Sequence, residues 1–109
     1  MTLTKARPRA APALDLRGAF VRRTDLSGAN LRGADLSNAD ATGASFRNAD
    51  FQDARLVGTI LRAADLTGAR NLTVDQLAAA IVDDETRLPA HIDRAKLLNA
   101  HKPGSDMLE

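Results

Sequence analysis

The side chains equipped for chemistry are few, and their spacing argues against catalysis. His91 and His101 stand ten residues apart, which is not a metal-ligand spacing. Nothing beside them supplies a ligand set or a nucleophile, so they read as exposed or packed into a terminal cap. Ser27, Ser37 and Ser45 have no histidine in their own stretch to act as a base. Asp15, Asp25, Asp35, Asp40, Asp50 and Asp65 suggest paired carboxylates, but they recur at one slot of a regular pattern. A short polar side chain in such a slot serves to hydrogen-bond the backbone of a turn. The glycines keep the same spacing and form no phosphate-cradling loop. With no cysteine in the chain, thiol chemistry, disulfides and cysteine metal sites are excluded. The expectation is a protein that is not an enzyme, with no catalytic residue, no cofactor and no metal.

The pattern that places these groups has a period of five. From Leu16 to Leu66 every fifth residue is apolar: Leu16, Val21, Leu26, Leu31, Leu36, Ala41, Phe46, Phe51, Leu56, Leu61 and Leu66. Two residues before each, the side chain is usually small, as at Ala19, Ala29, Ala34, Ala39, Ala44, Ala49, Ala54 and Ala64. Gly18, Gly28, Gly33, Gly43, Gly58 and Gly68 recur at the last place of a five, where a turn residue is useful. Five matches neither the 3.6 of a helix nor the 2.0 of a strand. A short extended piece followed by a turn, wound into a solenoid, satisfies it. No unit buries its own apolar residue, and stacked coils share one core.

The runs ANL, ADL and ADF within residues 14–70 follow the pattern A-[DN]-[LF]-x-x, and eleven consecutive units keep register. The chain therefore resembles the pentapeptide-repeat family. The resemblance implies an all-β solenoid, a right-handed quadrilateral β-helix with four fives per coil. Its central residue and the one two before it point inward; the other three point out. Residues 20 apart then stack, and about three coils spaced like strands, about 4.8 Å, form a stub roughly 14 Å tall. In this wrapping Ala41 faces Phe51 across one coil, a small side chain opposite a large one. The phrase NLTVDQLAAAIVDDETRLP also resembles a C-terminal helical cap that follows many such repeats.

Folded onto four walls, the outward residues are unequal. Three walls carry ordinary polar mixtures. The fourth, built on Val21, Ala41 and Leu61, displays Phe20 and Ile60 where the others show Asp or Asn, flanked by Arg22, Arg23 and Arg62. An exposed aromatic among arginines is favoured at binding sites. These five are the candidate partner-binding residues; the other reading is that the chain's own terminal segments cover Phe20 and Ile60.

The ends divide the chain further. Residues 1–13, Ala/Pro-rich with Lys5, Arg7 and Arg9, form a basic segment, partly disordered or capping, and Leu14 suits a lid over the first coil. The repeat occupies 14–71 and a helical cap 72–101. Thr73 is the expected N-cap with Gln76 closing a capping box, and Leu77, Ala78, Ile81 and Val82 form an apolar stripe before Pro89. A second helix is expected over 91–100 with Ile92, Ala95 and Leu98 on one side and Leu97 beside them, and a disordered tail over 102–109.

The chain is one domain of 109 residues with a net charge of +1. The first 13 residues hold three basic and no acidic groups, the repeat eight Arg and seven Asp, and residues 72–109 four basic and seven acidic groups. No segment has the roughly 20 apolar residues of a membrane span or the apolar run of a secretory signal, so a cytoplasmic setting is expected. The function these features imply is a protein-interaction or scaffold module that offers one wall to a protein partner, with a homodimer through the end caps as an added option. The first alternative comes from the family resemblance: some relatives imitate DNA and bind DNA gyrase. Here Arg slightly outnumbers Asp on the repeat, far from a duplex with a negative charge every ~1.7 Å. Weak direct nucleic-acid binding through Arg7, Arg9, Arg22, Arg23 and Arg62 is the second alternative, disfavoured by the charge balance.

Overall fold

The structure, a computed structural model, describes residues 14–101. Its backbone winds so that residues 20 apart meet as isolated parallel bridges. Four ladders run up the coil: Asp15–Asp35–Arg55, Phe20–Asp40–Ile60, Asp25–Ser45–Asp65 and Asn30–Asp50–Arg70. The register expected from the sequence is the one observed. Each ladder is one residue wide because a turn follows every extended piece.

The turns explain the period. Every fifth residue from Gly18 to Gly68 has φ between 56° and 73°, and the residue after it donates its N–H to the carbonyl three back, as Ala34 does to Leu31 at 3.0 Å. A positive φ at the third residue marks a type II turn, which glycine makes without steric cost. Arg23, Asn38, Asn48, Asp53 and Ala63 occupy the same slot without being glycine. Asn38 and Asn48 use it to lay their amides over Gly58 and Gly68 one coil above, in space that a Cβ on either glycine would need.

A second device sits on the outer face. Asp15, Asp25, Asn30, Asp35, Asp40, Asp50 and Asp65 each accept the N–H of the residue two positions on, at 3.0 to 3.2 Å. The aspartates of the repeat are therefore turn builders. Side-chain hydrogen bonds from Ser27, Ser37 and Thr42, and then these N–H groups, hold the carboxyls of Asp25, Asp35 and Asp40 below the ordinary range. Arg17 brings Asp15 to about 2, and the side chain of Asn71, then the N–H of Gln52, brings Asp50 to about 2.

Inside, the core is a stack of single-residue layers. Leu36, Ala41, Phe46 and Phe51 fill the second coil and are fully buried. The Phe46 and Phe51 rings meet at 5.5 Å and 58°, and Ala41 leaves them room. In the first coil Leu16, Val21 and Leu26 are only half-buried. Leu14, expected as a lid over that coil, is 51% exposed.

At the C-terminal end the period breaks and α1 (Val74–Ala78) begins. Thr73 is its N-cap, and the capping box with Gln76 is formed. The expected stripe through Ile81 and Val82 is not helical. The helix stops at Ala78 because the third coil still has N–H groups to satisfy. Gly58 donates to the Ala79 carbonyl, Leu61 to Ile81 and Leu66 to Arg87. Ile81 bridges Ile60 and Arg87 bridges Asp65, so the chain resumes two walls of a fourth coil. Three side chains complete the closure. Asp83 Oδ1 accepts the Ala63 N–H at 3.0 Å, and the Thr86 hydroxyl donates to the Leu61 carbonyl at 2.7 Å. Gln76 Nε2 donates to the carbonyls of Phe51 and Ala54, both at 2.9 Å.

α2 (Arg94–His101) packs against α1. It begins three residues later than expected; Leu97 and Ile92 are buried, Ile92 ahead of the helix, while Ala95, expected on the packed side, is exposed. Asp93 sets that start, accepting the Ala95 N–H at 2.9 Å. The expected basic segment 1–13 and tail 102–109 lie outside the described residues.

Candidate protein-binding wall

Phe20 and Ile60 share one ladder with Asp40 between them, and Ile81 extends it upward. The wall is thus Phe20–Asp40–Ile60–Ile81. At Asp40 the usual turn forms, its Oδ1 accepting from the N–H and the hydroxyl of Thr42 at 3.1 and 2.7 Å. At Phe20 and Ile60 that side-chain acceptor is replaced by hydrocarbon. Such a turn bond contributes about 0.5–1.5 kcal/mol, so the wall gives up local stabilisation twice to show apolar surface. Phe20 is 84% exposed and Ile81 39%. Ile60 is half-buried, flanked by Asp40 and Ile81.

The basic residues line the turns that end this wall. Arg22 Nε lies 3.7 Å from Asp40 Oδ2, a loose pair with the Arg22 side chain 56% exposed. Arg23 holds a positive φ and lays its stem over Gly43, one coil up. Arg62 is exposed on the next coil. Among the described residues neither Arg23 nor Arg62 enters an ion pair. The structure therefore brings Phe20, Arg22, Arg23, Ile60 and Arg62 onto one face and its edge. Hydrogen bonds from Thr42 hold the Asp40 carboxyl below its ordinary value, with Arg22 and Arg62 adding to the effect.

On the neighbouring walls many charges are paired, although Val57 is 54% exposed there and Arg55 and Arg70 are exposed with no ion pair among the described residues. Arg32 Nη1 meets Asp50 Oδ2 at 3.1 Å and Arg47 Nη1 meets Asp65 Oδ2 at 3.0 Å, each across one coil step. The hydroxyls of Ser27 and Ser45 meet at 2.9 Å, and Arg17 binds Asp15 through two nitrogens at 2.8 Å. Of the histidines, His91 places Nε2 2.7 Å from the Leu72 carbonyl, packing the C-terminal segment onto the coil. Among the described residues no three His, Cys, Asp or Glu side chains cluster to hold a metal, and no helix is long and apolar enough to cross a membrane.

Sequence reasoning missed Ile81. It sits 21 residues after Ile60 instead of 20, because α1 absorbs one extra residue, and its spacing from Leu77 imitates a helical stripe. The signal available was chemical: a coil ending at Leu66 with unspent N–H groups calls for more extended chain above it.

The family model for pentapeptide repeats matches residues 14–48 and 44–72, in eight copies. Among solved structures, a pentapeptide repeat protein of the cyanobacterium Cyanothece 51142 is 31% identical with a TM-score of 0.62. The match covers 71% of this chain and 52% of that one, so this chain spans about half of its length. A pentapeptide repeat protein from Nostoc Pcc 7120 is 30% identical over 82% of this chain and 84% of its own, with a TM-score of 0.32. Another, from the thylakoid lumen of Arabidopsis thaliana, is 24% identical over 71% of this chain and 56% of its own, with a TM-score of 0.34. No curated protein matches the chain.

Proposed function

Since the chain belongs to the pentapeptide-repeat family, whose neighbours imply a right-handed quadrilateral β-helix, we propose that it is a non-catalytic interaction module that docks a protein partner on the Phe20 wall. The observation that carries this reading is Phe20 itself, 84% exposed in a slot where seven other units hold an Asp or Asn that closes a turn. Ile60 and Ile81 widen the apolar strip, and Arg22, Arg23 and Arg62 border it with charge that is poorly compensated within the chain. Aromatic anchors beside arginines dominate binding energy where partners exclude water around them.

A photo-crosslinking side chain placed at residue 20, with residue 30 on a polar wall as control, tests this. A crosslinked protein product from position 20 and none from position 30 supports the wall. Equal products from both, or none from either, would overturn it.

The gyrase-binding DNA mimic has less support. Of the aspartates it would rely on, Asp15, Asp50 and Asp65 are paired with Arg17, Arg32 and Arg47.

A further inference from the structure

The Phe20 wall is polarised along the coil axis. At its lower corner stand Arg22 and Arg23. One coil up the same corner holds Thr42 and Gly43, then Arg62 and Ala63, and above Ala63 comes the turn Asp83-Asp84-Glu85. That turn is fixed in place. Asp83 Oδ1 accepts the N–H groups of Ala63 and Glu85, and the Arg94 guanidinium holds the carbonyls of Asp83 and Thr86. The Asp84 and Glu85 side chains are left exposed, with no ion pair among the described residues. Positive charge at one end of the corner thus faces outward, and so does negative charge at the other.

Resting on the reading of this wall as a docking surface, we propose that its occupant is a second copy of the chain, laid antiparallel against the first. A two-fold axis across the wall, perpendicular to the coil axis, leaves the corner in place and inverts it end for end. Phe20 then meets the partner's Ile81, and Ile81 the partner's Phe20. Arg22 and Arg23 face the partner's Asp84 and Glu85. Arg62 falls opposite the partner's Thr42 and within reach of the partner's Asp40. Every cation on the wall gains an acidic neighbour and both exposed apolar side chains are covered. An isologous interface must be self-complementary in this way. A parallel arrangement, on a two-fold along the coil axis, would carry the charged corner to the opposite edge of the partner's wall and leave Arg22, Arg23, Asp84 and Glu85 without these partners.

Sedimentation velocity on the full chain, at low and at high salt, tests the proposal. The expected species at low salt is a dimer of twice 11.6 kDa, weakened by added salt. Arg22→Glu with Arg23→Glu is expected to raise the dimer dissociation constant ~10-fold or more, and Asp84→Arg with Glu85→Arg to do the same. The four changes combined restore the dimer, because each site again meets its opposite. Phe20→Asp removes the dimer while its melting profile matches that of the monomeric charge variants, which separates a lost contact from a lost fold.

A wild-type chain that sediments as a monomer at its highest soluble concentration would overturn the proposal. So would a dimer indifferent to both charge reversals, which points to the end caps, or a failure of the fourfold variant to recover. The wider reading of the wall fails separately: a monomer whose position 20 still crosslinks to another protein refutes the second copy alone, and a monomer that crosslinks to nothing refutes both.

Discussion

Gln76→Glu sets two physical rules against each other. Read as sequence, the change is favourable: glutamate is a good third residue of a capping box, and its charge suits a helix N-terminus by about 0.3–1 kcal/mol. The structure reverses the sign. Gln76 Oε1 accepts the Thr73 N–H at 2.8 Å, which a carboxylate can also do. Its Nε2 donates to the Phe51 and Ala54 carbonyls, which a carboxylate cannot. Two hydrogen bonds of about 0.5–1.5 kcal/mol each are lost, and partly buried carbonyls left facing an anion add a further 1–3 kcal/mol or so. Less the helix-terminal gain, Gln76→Glu is expected to destabilise by about 2–4 kcal/mol, more than Gln76→Ala. At ~4–8 °C per kcal/mol for a domain of this size, thermal melting followed by circular dichroism resolves that easily. The pH dependence is a second signature. The carbonyls raise the pKa of the new carboxyl above its unfolded value of ~4.3, so the charge-dependent part of its cost is complete above the folded pKa and fades as pH falls below ~4.3. The gap to wild type should narrow on acidification without closing, because a protonated carboxyl offers one O–H where Gln76 uses two N–H donors, while the gap for Gln76→Ala is not changed by this carboxyl. A Gln76→Glu protein as stable as wild type at neutral pH, or one whose gap ignores pH, would refute this account of the closed end.

Ala41→Leu is expected to cost about 1–3 kcal/mol in urea unfolding, since Ala41, Phe46 and Phe51 share one sealed layer; a stabilised variant would show that the layer has spare volume. Ala63→Gly is expected to stabilise by about 0.5–1 kcal/mol: relief of the left-handed penalty of ~1–2 kcal/mol exceeds the extra chain entropy of ~0.4–1 kcal/mol, and an unchanged or lower melting point would contradict the φ of 56°. Asp15 and Asp50 titrate near 2 in the fold, and Asp25, Asp35 and Asp40 below their ordinary value. Depressed carboxyls contribute stability that is complete above ~4 and lost as pH falls toward 2. A melting temperature flat from neutral pH to ~5 and falling steeply below ~4 is expected, with a shallower fall in Asp50→Asn.

The repeat was legible because each of its rules is local and repeated. An apolar residue every five, a small one two before it and a glycine or asparagine at the turn leave one winding, and Phe20 and Ile60 stood out as departures from it. The cap was less legible because its structure answers the coil beneath it. Nothing near Ile81 announces an extended residue; the N–H groups of Gly58, Leu61 and Leu66 impose it from one coil below. The same holds for Gln76, whose capping box is readable at a spacing of three but whose bonds to Phe51 and Ala54 span more than 20 residues. Ala95 lies exposed where the packed side of α2 was expected, because Ile92 sits ahead of the helix and a spacing counted from it does not set the helix's buried face; Leu97, expected beside that side, is buried.

The ladders with their 20-residue step turn insertions into rotations. Adding five residues between Phe20 and Ile60 keeps the turn and the inward slot of every five, yet re-pairs the coils at the insertion and carries everything above it round by a quarter turn, so that Ile81 and the Asp84–Glu85 turn leave the side that holds Phe20. Adding 20 restores the alignment and only lengthens the wall. Length changes in this chain therefore split into those that preserve the face and those that break it, and the fold tolerates both. A surface of this kind drifts in whole coils, and any function it carries limits the chain to multiples of four fives.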